Sequence, residues 1–255
     1  MTRYSINIKH PEQQLGFAIF ADDKDGFLSM NQFVMHGSFF AHRALMRDAE
    51  MLNTIALRIE RLSQEELHLL NRWYDFFWNM MEAHHAAEDD LLFRAVEKKM
   101  EQPSETIEEM EVEHNRIQFL IDEIKRVIGE LERTDKKVLL CKELQLHTDA
   151  LLNVFNAHIM KEEAYILEKM KAHFTINEQR KIENEVKRKA PVRYLSYMVP
   201  WLHDSLSVEE NKILDQSLPW TAKLMNRFFW KNNYTRLLNP VKTLLELHPH
   251  VLERS

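Results

Sequence analysis

The chain has 255 residues, of which 45% are apolar and 29% are charged, so it can bury at least one substantial core. Its four glycines and seven prolines are too few for a turn-dense all-β protein, and its one cysteine, Cys141, excludes an intramolecular disulfide or a cysteine-ligated metal cluster. A net charge of −6 with interspersed bases, and no run of roughly eighteen apolar residues, predict a cytoplasmic protein that binds neither nucleic acid nor a membrane.

Four long stretches have apolar residues at spacings of three and four, and each opens with a residue that can cap a helix. The caps are Ser29, Ser63, Ser104 and Asp135, and they predict helices over 29–61, 63–100, 104–133 and 135–172. Because the breaks are short, successive helices should be antiparallel neighbours. We predict an all-α, up-down-up-down four-helix bundle over 29–172, preceded by an N-terminal segment, 1–28.

Residues 173–255 have a different character and are divided by Pro191, Pro200 and Pro219, which predicts shorter additional C-terminal helices. This extension is rich in large aromatic side chains, namely Trp201, Trp220, Phe228, Phe229 and Trp230. Such side chains favour burial, so we expect the extension to pack on the bundle or on another subunit.

Two similar segments, "AHHAAEDDLL" at 83–92 and "AHIMKEEAYI" at 157–166, place a histidine four residues before a glutamate. The pairs are His84 with Glu88 and His158 with Glu162. Residues four apart lie on one helix face, roughly 6 Å apart along its axis, so both members of a pair can reach one point. Their neighbours on the same face are apolar, so both pairs should point into the core.

The first and third helices each offer one histidine on an apolar face, His42 and His114. At about 1.5 Å of rise per residue, all four histidines lie roughly 15 to 24 Å from the same end of the bundle. Within the uncertainty of the helix boundaries, four imidazoles and two carboxylates therefore share one layer.

Nitrogen and oxygen donors in an apolar interior are typical of a transition-metal site, and iron, manganese or zinc suit this set. Two irons fit better than one, because glutamates that bridge two metals count twice toward the coordination of the pair. A bridging oxygen would leave one or two positions open for O2, peroxide, nitric oxide or water.

These residues resemble the hemerythrin-like, or HHE cation-binding, family over 29–172. The segments that carry the resemblance are "AHRALMRD", "AHHAAEDDLLF", "EHNRI" and "AHIMKEEAYIL". The resemblance implies a non-haem di-iron centre, Fe–O–Fe or Fe–OH–Fe, with manganese or zinc as substitutes. The ligands that it implies are His42, His84, Glu88, His114, His158 and Glu162.

One position departs from the family pattern. The oxygen carriers of the family usually have a second histidine on the third helix, four residues after the first, and this chain has Gln118 there. An amide is a poor iron ligand, so one iron should be more open, which favours turnover of a small oxidant over reversible O2 storage. His36 or His203 could fill the gap.

Two further alternatives concern residues near the predicted ligands. His85 with Asp89 forms a rival pair on the second helix, although a supporting role beside the ligands is favoured. Tyr165 could approach the metals as a hydrogen-bond donor or radical sink, although simple packing is favoured.

The leading hypothesis is a non-haem di-iron oxidoreductase, peroxidase-like, catalase-like or an oxygenase, that reacts with O2, peroxide or nitric oxide. The sequence leaves open an organic substrate, the electron donor and the oligomeric state. The alternative is a non-catalytic protein that carries or senses O2, nitric oxide or iron.

Overall fold

The computed structural model describes residues 34–134, 137–189 and 195–246. The N-terminal segment 1–28 and the predicted helix caps Ser29 and Asp135 lie outside the described residues. Within the described ranges all regular structure is helical, so the all-α prediction is confirmed. No helix in these ranges combines the length and apolar character that crossing a membrane requires.

The bundle consists of four rods. Its helices are α1 (His36–Ala56), α2 (Gln64–Ala87), α3 (Arg94–Met100), α4 (Glu105–Leu131) and α5 (Lys137–His173). A π-helical turn, Glu88–Phe93, joins α2 to α3, so that together they form the second rod. The α5 rod packs on α1 and α4, and α2 packs on α1 and α4, which confirms the predicted up-down-up-down bundle.

The breaks between the rods follow from local hydrogen bonding. Ser63 and Glu66 form a reciprocal capping box at the start of α2, with the Ser63 N–H donating to the Glu66 carboxylate at 2.7 Å. Ser104 accepts a hydrogen bond from the N–H of Ile107 at the start of α4. Glu101 ends α3 in the left-handed region, with φ 57°, just before Pro103.

The apolar core is divided into two clusters, one on each side of a polar layer. The larger cluster includes Leu45 and Ile117, and the smaller one includes Phe39 and Met110. On α4, His114 lies between Met110 and Ile117, and the other three rods pass between the clusters in the same way. The predicted ligands therefore lie at a common level of the bundle.

The described parts of the extension, up to residue 189 and over 195–246, contain five α-helices. They are α6 (Ile176–Lys189), α7 (Leu195–Ser205), α8 (Val208–Ser217), α9 (Trp220–Met225) and α10 (Lys231–Glu246). The α7 helix packs on α1, and α10 packs on α2 and α7. Trp201 is buried, and its indole N–H donates at 2.8 Å to Asp48, a buried carboxylate on α1. This hydrogen bond ties the extension to a rod that also carries a predicted ligand.

Of the five large aromatic side chains named above for the extension, three are not covered by the bundle. Trp220 is 73% exposed, Phe228 is 55% exposed and Phe229 is 59% exposed, whereas Trp230 is half-buried. The first alternative, packing on the bundle, therefore does not describe these three side chains, because α7 and α10 make the main contacts of the extension with α1 and α2. Packing of these side chains on another subunit stays a prediction.

Candidate metal centre

The structure brings all six predicted ligands together in the layer between the two apolar clusters. His42 comes from α1, His84 from α2 and His114 from α4, and all three point into the bundle. Glu88, His158 and Glu162 are buried as well, with at most 1% of each residue exposed. The layer is therefore a cluster of ionisable groups shielded from solvent.

A first group of donors lies where α1 meets the second rod. His84 Nε2 is 3.2 Å from Glu88 Oε1, and His42 Nε2 is 3.6 Å from the same oxygen. One donor atom from each residue lies within 4.8 Å of the others. This spacing suits donors that share one cation.

A second group lies between the second rod, α4 and α5. It contains Glu88, His114, His158 and also His85, again with donor atoms within 4.8 Å of one another. His114 Nε2 and His158 Nε2 are 3.0 Å apart, and Glu88 Oε2 is 3.8 Å from His114 Nε2. Glu88 therefore presents one oxygen to each group.

Glu162 lies between the two groups from the opposite side. Its Oε2 is 3.2 Å from His42 Nε2 in the first group and 3.4 Å from His158 Nε2 in the second. Two carboxylates thus connect the groups, which is the arrangement that two bridged cations require.

Three of the histidines are oriented by carboxylates outside the cluster. His42 Nδ1 is 3.0 Å from Glu163 Oε1, and His114 Nδ1 is 2.7 Å from Asp89 Oδ1. His158 Nδ1 is 3.0 Å from Glu113. A neutral imidazole that donates from Nδ1 to a carboxylate directs the lone pair of Nε2 inward, which is the usual support of a metal-bound histidine.

Most of the inward-facing donor atoms lack hydrogen-bond partners of their own. Within this layer the buried unpaired atoms are His42 Nε2, His84 Nε2, both ring nitrogens of His85, both oxygens of Glu88 and Glu162 Oε2. Each buried unpaired polar atom costs about 1–3 kcal/mol. Because these atoms converge on one place, a pair of cations fits the donor set and would remove that cost.

The pKa values of the two buried glutamates shift in opposite directions. Burial and the neighbouring Glu162 raise the pKa of Glu88 well above its usual value. Burial alone would raise the pKa of Glu162 too, but the nearby His42 and His158 hold it well below its usual value. The histidines beside Glu162 thus compensate its charge, whereas the charge of Glu88 is not compensated.

The pKa values of the buried histidines also shift in opposite directions. Burial would lower the pKa of His42, but Glu162, Glu163 and Glu88 raise it well above the usual value. Burial lowers the pKa of His84 and of His85 well below the usual value, and the neighbouring imidazoles add to the effect. These two imidazoles are therefore neutral, which is the form that binds metals.

The π turn changes which side chains meet. The turn begins at Glu88, and its extra residue rotates the following side chains relative to a regular helix. Asp89 consequently reaches His114 on α4. The rival pair of His85 with Asp89 is therefore wrong as a pair: His85 joins the donor cluster, and Asp89 supports a histidine of another rod.

Gln118 and Tyr165 lie outside both donor groups. The Gln118 amide donates to Asp122 at 3.1 Å, so it faces the surface of α4. The Tyr165 hydroxyl is 2.7 Å from the hydroxyl of Ser104 at the start of α4, and its ring packs against the smaller apolar cluster. Packing, the favoured interpretation of Tyr165, agrees with this position.

His36 and His203 also lie outside both groups. His36 stacks on Phe40 one turn along α1, with ring centroids 5.8 Å apart. His203 is on α7, where its Nε2 is 3.4 Å from Asp215 of α8. Neither histidine therefore lies where it could replace the ligand that Gln118 does not supply.

Two supporting residues, Glu113 and Glu163, were not predicted from the sequence. Each is the immediate sequence neighbour of a donor, His114 or Glu162, and each bonds a histidine on a different rod. The signal in the sequence was an acidic residue next to a predicted donor. Neighbouring residues on a helix point about 100° apart, so the sequence could not show which histidine of another rod each acid would contact.

We expect Glu113→Gln to weaken the affinity for iron by about 10–100-fold, because the variant loses the carboxylate that orients His158. Glu109→Gln is the matched control, since Glu109 also contacts Lys161 on the same side of α4 but bonds no donor histidine. Anaerobic titration with ferrous ion against a competing chelator measures both affinities. Equal affinities in the two variants would contradict the supporting role.

Comparison with known proteins agrees with the geometry. The hemerythrin HHE cation-binding domain family matches residues 40–170. The zinc finger protein BRUTUS of Arabidopsis thaliana is 27% identical over 179 residues, and two BRUTUS-like zinc finger proteins of that plant are 28% and 25% identical. These matches cover 68–70% of this chain but only 14–15% of the relatives, and no solved structure matches significantly. The chain belongs to the hemerythrin HHE cation-binding family.

Proposed function

We propose that this cation-binding chain holds two iron ions and acts as an oxidoreductase on O2, peroxide or nitric oxide. The observation that carries the proposal is the convergence of buried nitrogen and oxygen atoms that have no hydrogen-bond partners of their own. Iron bound there would supply one-electron chemistry with small oxidants, and manganese or zinc could occupy the same donors.

The donors divide between two positions. His42 and His84 would hold one iron, and the second would be held by His114 and His158. Glu88 would span both positions, since each of its oxygens faces a different group. Glu162 would also connect both positions, since its Oε2 lies near His42 of the first and His158 of the second.

The space around the donors favours small molecules. The ring of Phe93 stacks on His114 with centroids 5.5 Å apart, and the ring of Phe155 lies 6.3 Å from that of His85. Both aromatic side chains are fully buried. Apolar walls this close to the donors restrict the space beside them, which favours a diatomic molecule or peroxide over a larger reactant.

We infer that His85 takes the place that the family's oxygen carriers give to a second histidine of the third helix. Its ring stacks on His114 with centroids 4.0 Å apart, and both of its nitrogens are buried without a partner. A small rotation of this ring would direct a nitrogen at the position held by His114 and His158. We therefore assign to His85 the role that Gln118 cannot perform.

The alternative, a sensor, is favoured by one specific observation. The α1 rod carries His42 and also contacts the extension, through Arg43 with Glu210 at 2.7 Å and through Asp48 with Trp201. A change in the position of His42 would therefore reach the extension through a single rigid helix. Signalling by this route would require no turnover at the centre.

The chain purified from iron-fed cells should contain about two irons, because the donors form two groups. His84→Ala combined with His158→Ala removes one donor from each group and should lower the content below about one iron. His68→Ala is the control, since His68 is on α2 but contacts Glu132 and belongs to neither donor group. Elemental analysis, with circular dichroism as a check on folding, decides the question. Less than one iron in the unmodified chain would end the proposal.

His85→Ala should leave tight binding of the first iron and weaken the second by at least about tenfold, since it removes a donor from one group only. Gln118→Ala should bind both irons normally, because the amide is engaged by Asp122. Stepwise ferrous titration of the two variants separates these outcomes. A loss of iron in Gln118→Ala, with none in His85→Ala, would reverse the assignment.

Mixing the reduced, iron-loaded chain with O2 or peroxide tests the reaction itself. An oxidoreductase should be oxidised at once and should consume many equivalents of peroxide when an electron donor is supplied. His84→Ala with His158→Ala serves as the inactive control. A stable adduct that releases O2 under vacuum would instead support a carrier, and oxidation without turnover would favour the sensor.

A further inference from the structure

A short part of the extension exposes an unusual amount of apolar surface. This aromatic segment, residues 220–230, comprises α9 and the π-helical turn that follows it. Its exposed apolar side chains are Trp220, Leu224, Met225, Phe228 and Phe229. They recur at spacings of four and five, so they form one stripe along the segment. Contiguous apolar surface of this kind marks an interaction site.

The charged residues within this stretch of the sequence have a single sign. Between residues 216 and 245 the sequence contains five cations and no acidic residue, in a chain whose net charge is −6. Lys223 and Arg227 alternate with the apolar side chains, and Lys231 follows them. Within the described part of the chain none of these three cations has a carboxylate within 4.0 Å. The expected partner is therefore anionic.

A polar cavity of about 370 Å³ borders the segment. Asn226 lines it from the segment, and Lys231, Tyr234 and Lys242 line it from α10. Lys242 is paired with Asp204, whereas Lys231 is not paired with an acid in the described residues. The cavity therefore offers a cation and several hydrogen-bonding groups directly beside the apolar stripe.

A second copy of the chain does not suit this surface. In a two-fold symmetric dimer each stripe would face its own copy, so Lys223, Arg227 and Lys231 would meet the same three cations without an acid between them. Like charges in such an interface oppose association. The stripe needs a partner that supplies negative charge over its whole length and also accepts Trp and Phe side chains.

We propose that the aromatic segment docks on the surface of an anionic lipid bilayer. Trp and Phe enter the boundary between headgroups and acyl chains, while Lys and Arg beside them contact the phosphates. The cations are spread along the segment, which a plane of headgroups satisfies better than a single acidic peptide would. This contact is independent of the iron centre and of its chemistry.

The proposal revises the expectation that a membrane is not a partner. That expectation rested on the lack of a long apolar run, which excludes a spanning helix only. A helix that lies in the interface needs an apolar stripe and cationic flanks, and its mean hydropathy can be low. The lack of a long apolar run is therefore compatible with docking of the aromatic segment on a membrane surface.

Flotation with lipid vesicles tests the proposal on the purified full chain. We expect binding to vesicles rich in phosphatidylglycerol, little binding to pure phosphatidylcholine, and loss of binding as salt is raised. Replacing Trp220, Phe228 and Phe229 by Ser should weaken binding by about a hundredfold or more. Phe119→Ser with Leu139→Ser is the matched control, because both residues are exposed and lie on the bundle.

Two further variants separate charge from insertion. Lys223→Gln with Arg227→Gln should weaken binding by about tenfold. Trp220→Phe should keep binding but lose the blue shift of tryptophan fluorescence that vesicles cause in the unmodified chain. Circular dichroism and iron content should match the parent in every variant.

Three results would overturn the proposal. The first is no binding to anionic vesicles at low salt, which would leave an acidic protein as the partner. The second is equal binding to neutral and anionic vesicles. The third is a dimer of the intact chain that becomes a monomer when the three aromatic residues are replaced, since a second copy would then cover the stripe.

Discussion

The structure depends on one electrostatic constraint: several ionisable side chains are buried at the middle of an apolar bundle, where an uncompensated charge is very costly. His42, His84, His114, His158 and Glu162 could not persist there as independent groups. Outer carboxylates satisfy the Nδ1 atoms of three of the histidines, but the inward donors have no such partners. Two cations would satisfy these donors, so the fold and the centre are mutually dependent.

All four rods contribute to this buried layer, and α1 has an additional role. Each contributes donors at the same level, and the apolar clusters above and below exclude water from them. The α1 rod has a second role, because it also anchors the extension through Asp48 and Trp201. The aromatic segment lies beyond that anchor, so a contact made there would be mechanically linked to the bundle but chemically separate from its centre.

Much of this architecture follows from local patterns in the sequence. The capping residues Ser63 and Ser104 mark the rod boundaries, and the spacing of His84 from Glu88 and of His158 from Glu162 places each pair on one face. The common depth of the four histidines in the bundle then follows from the rise per residue of a helix, without any knowledge of packing.

The parts that could not be predicted depend on contacts between rods. The π turn at Glu88 leaves no clear mark in the sequence, yet it sends Asp89 to His114 and separates it from His85. Glu113 and Glu163 act across the bundle, which helical periodicity alone does not describe. The exposure of Trp220 depends on which faces α7 and α10 cover, and composition alone suggested burial.

X-ray absorption at the iron edge tests the central claim most directly, because it reports the neighbours of the metal inside the protein. We predict a shell of mixed imidazole nitrogen and carboxylate oxygen, with a second iron within about 4 Å. A spectrum that shows isolated iron, or oxygen neighbours without imidazole, would contradict a di-iron centre at these donors.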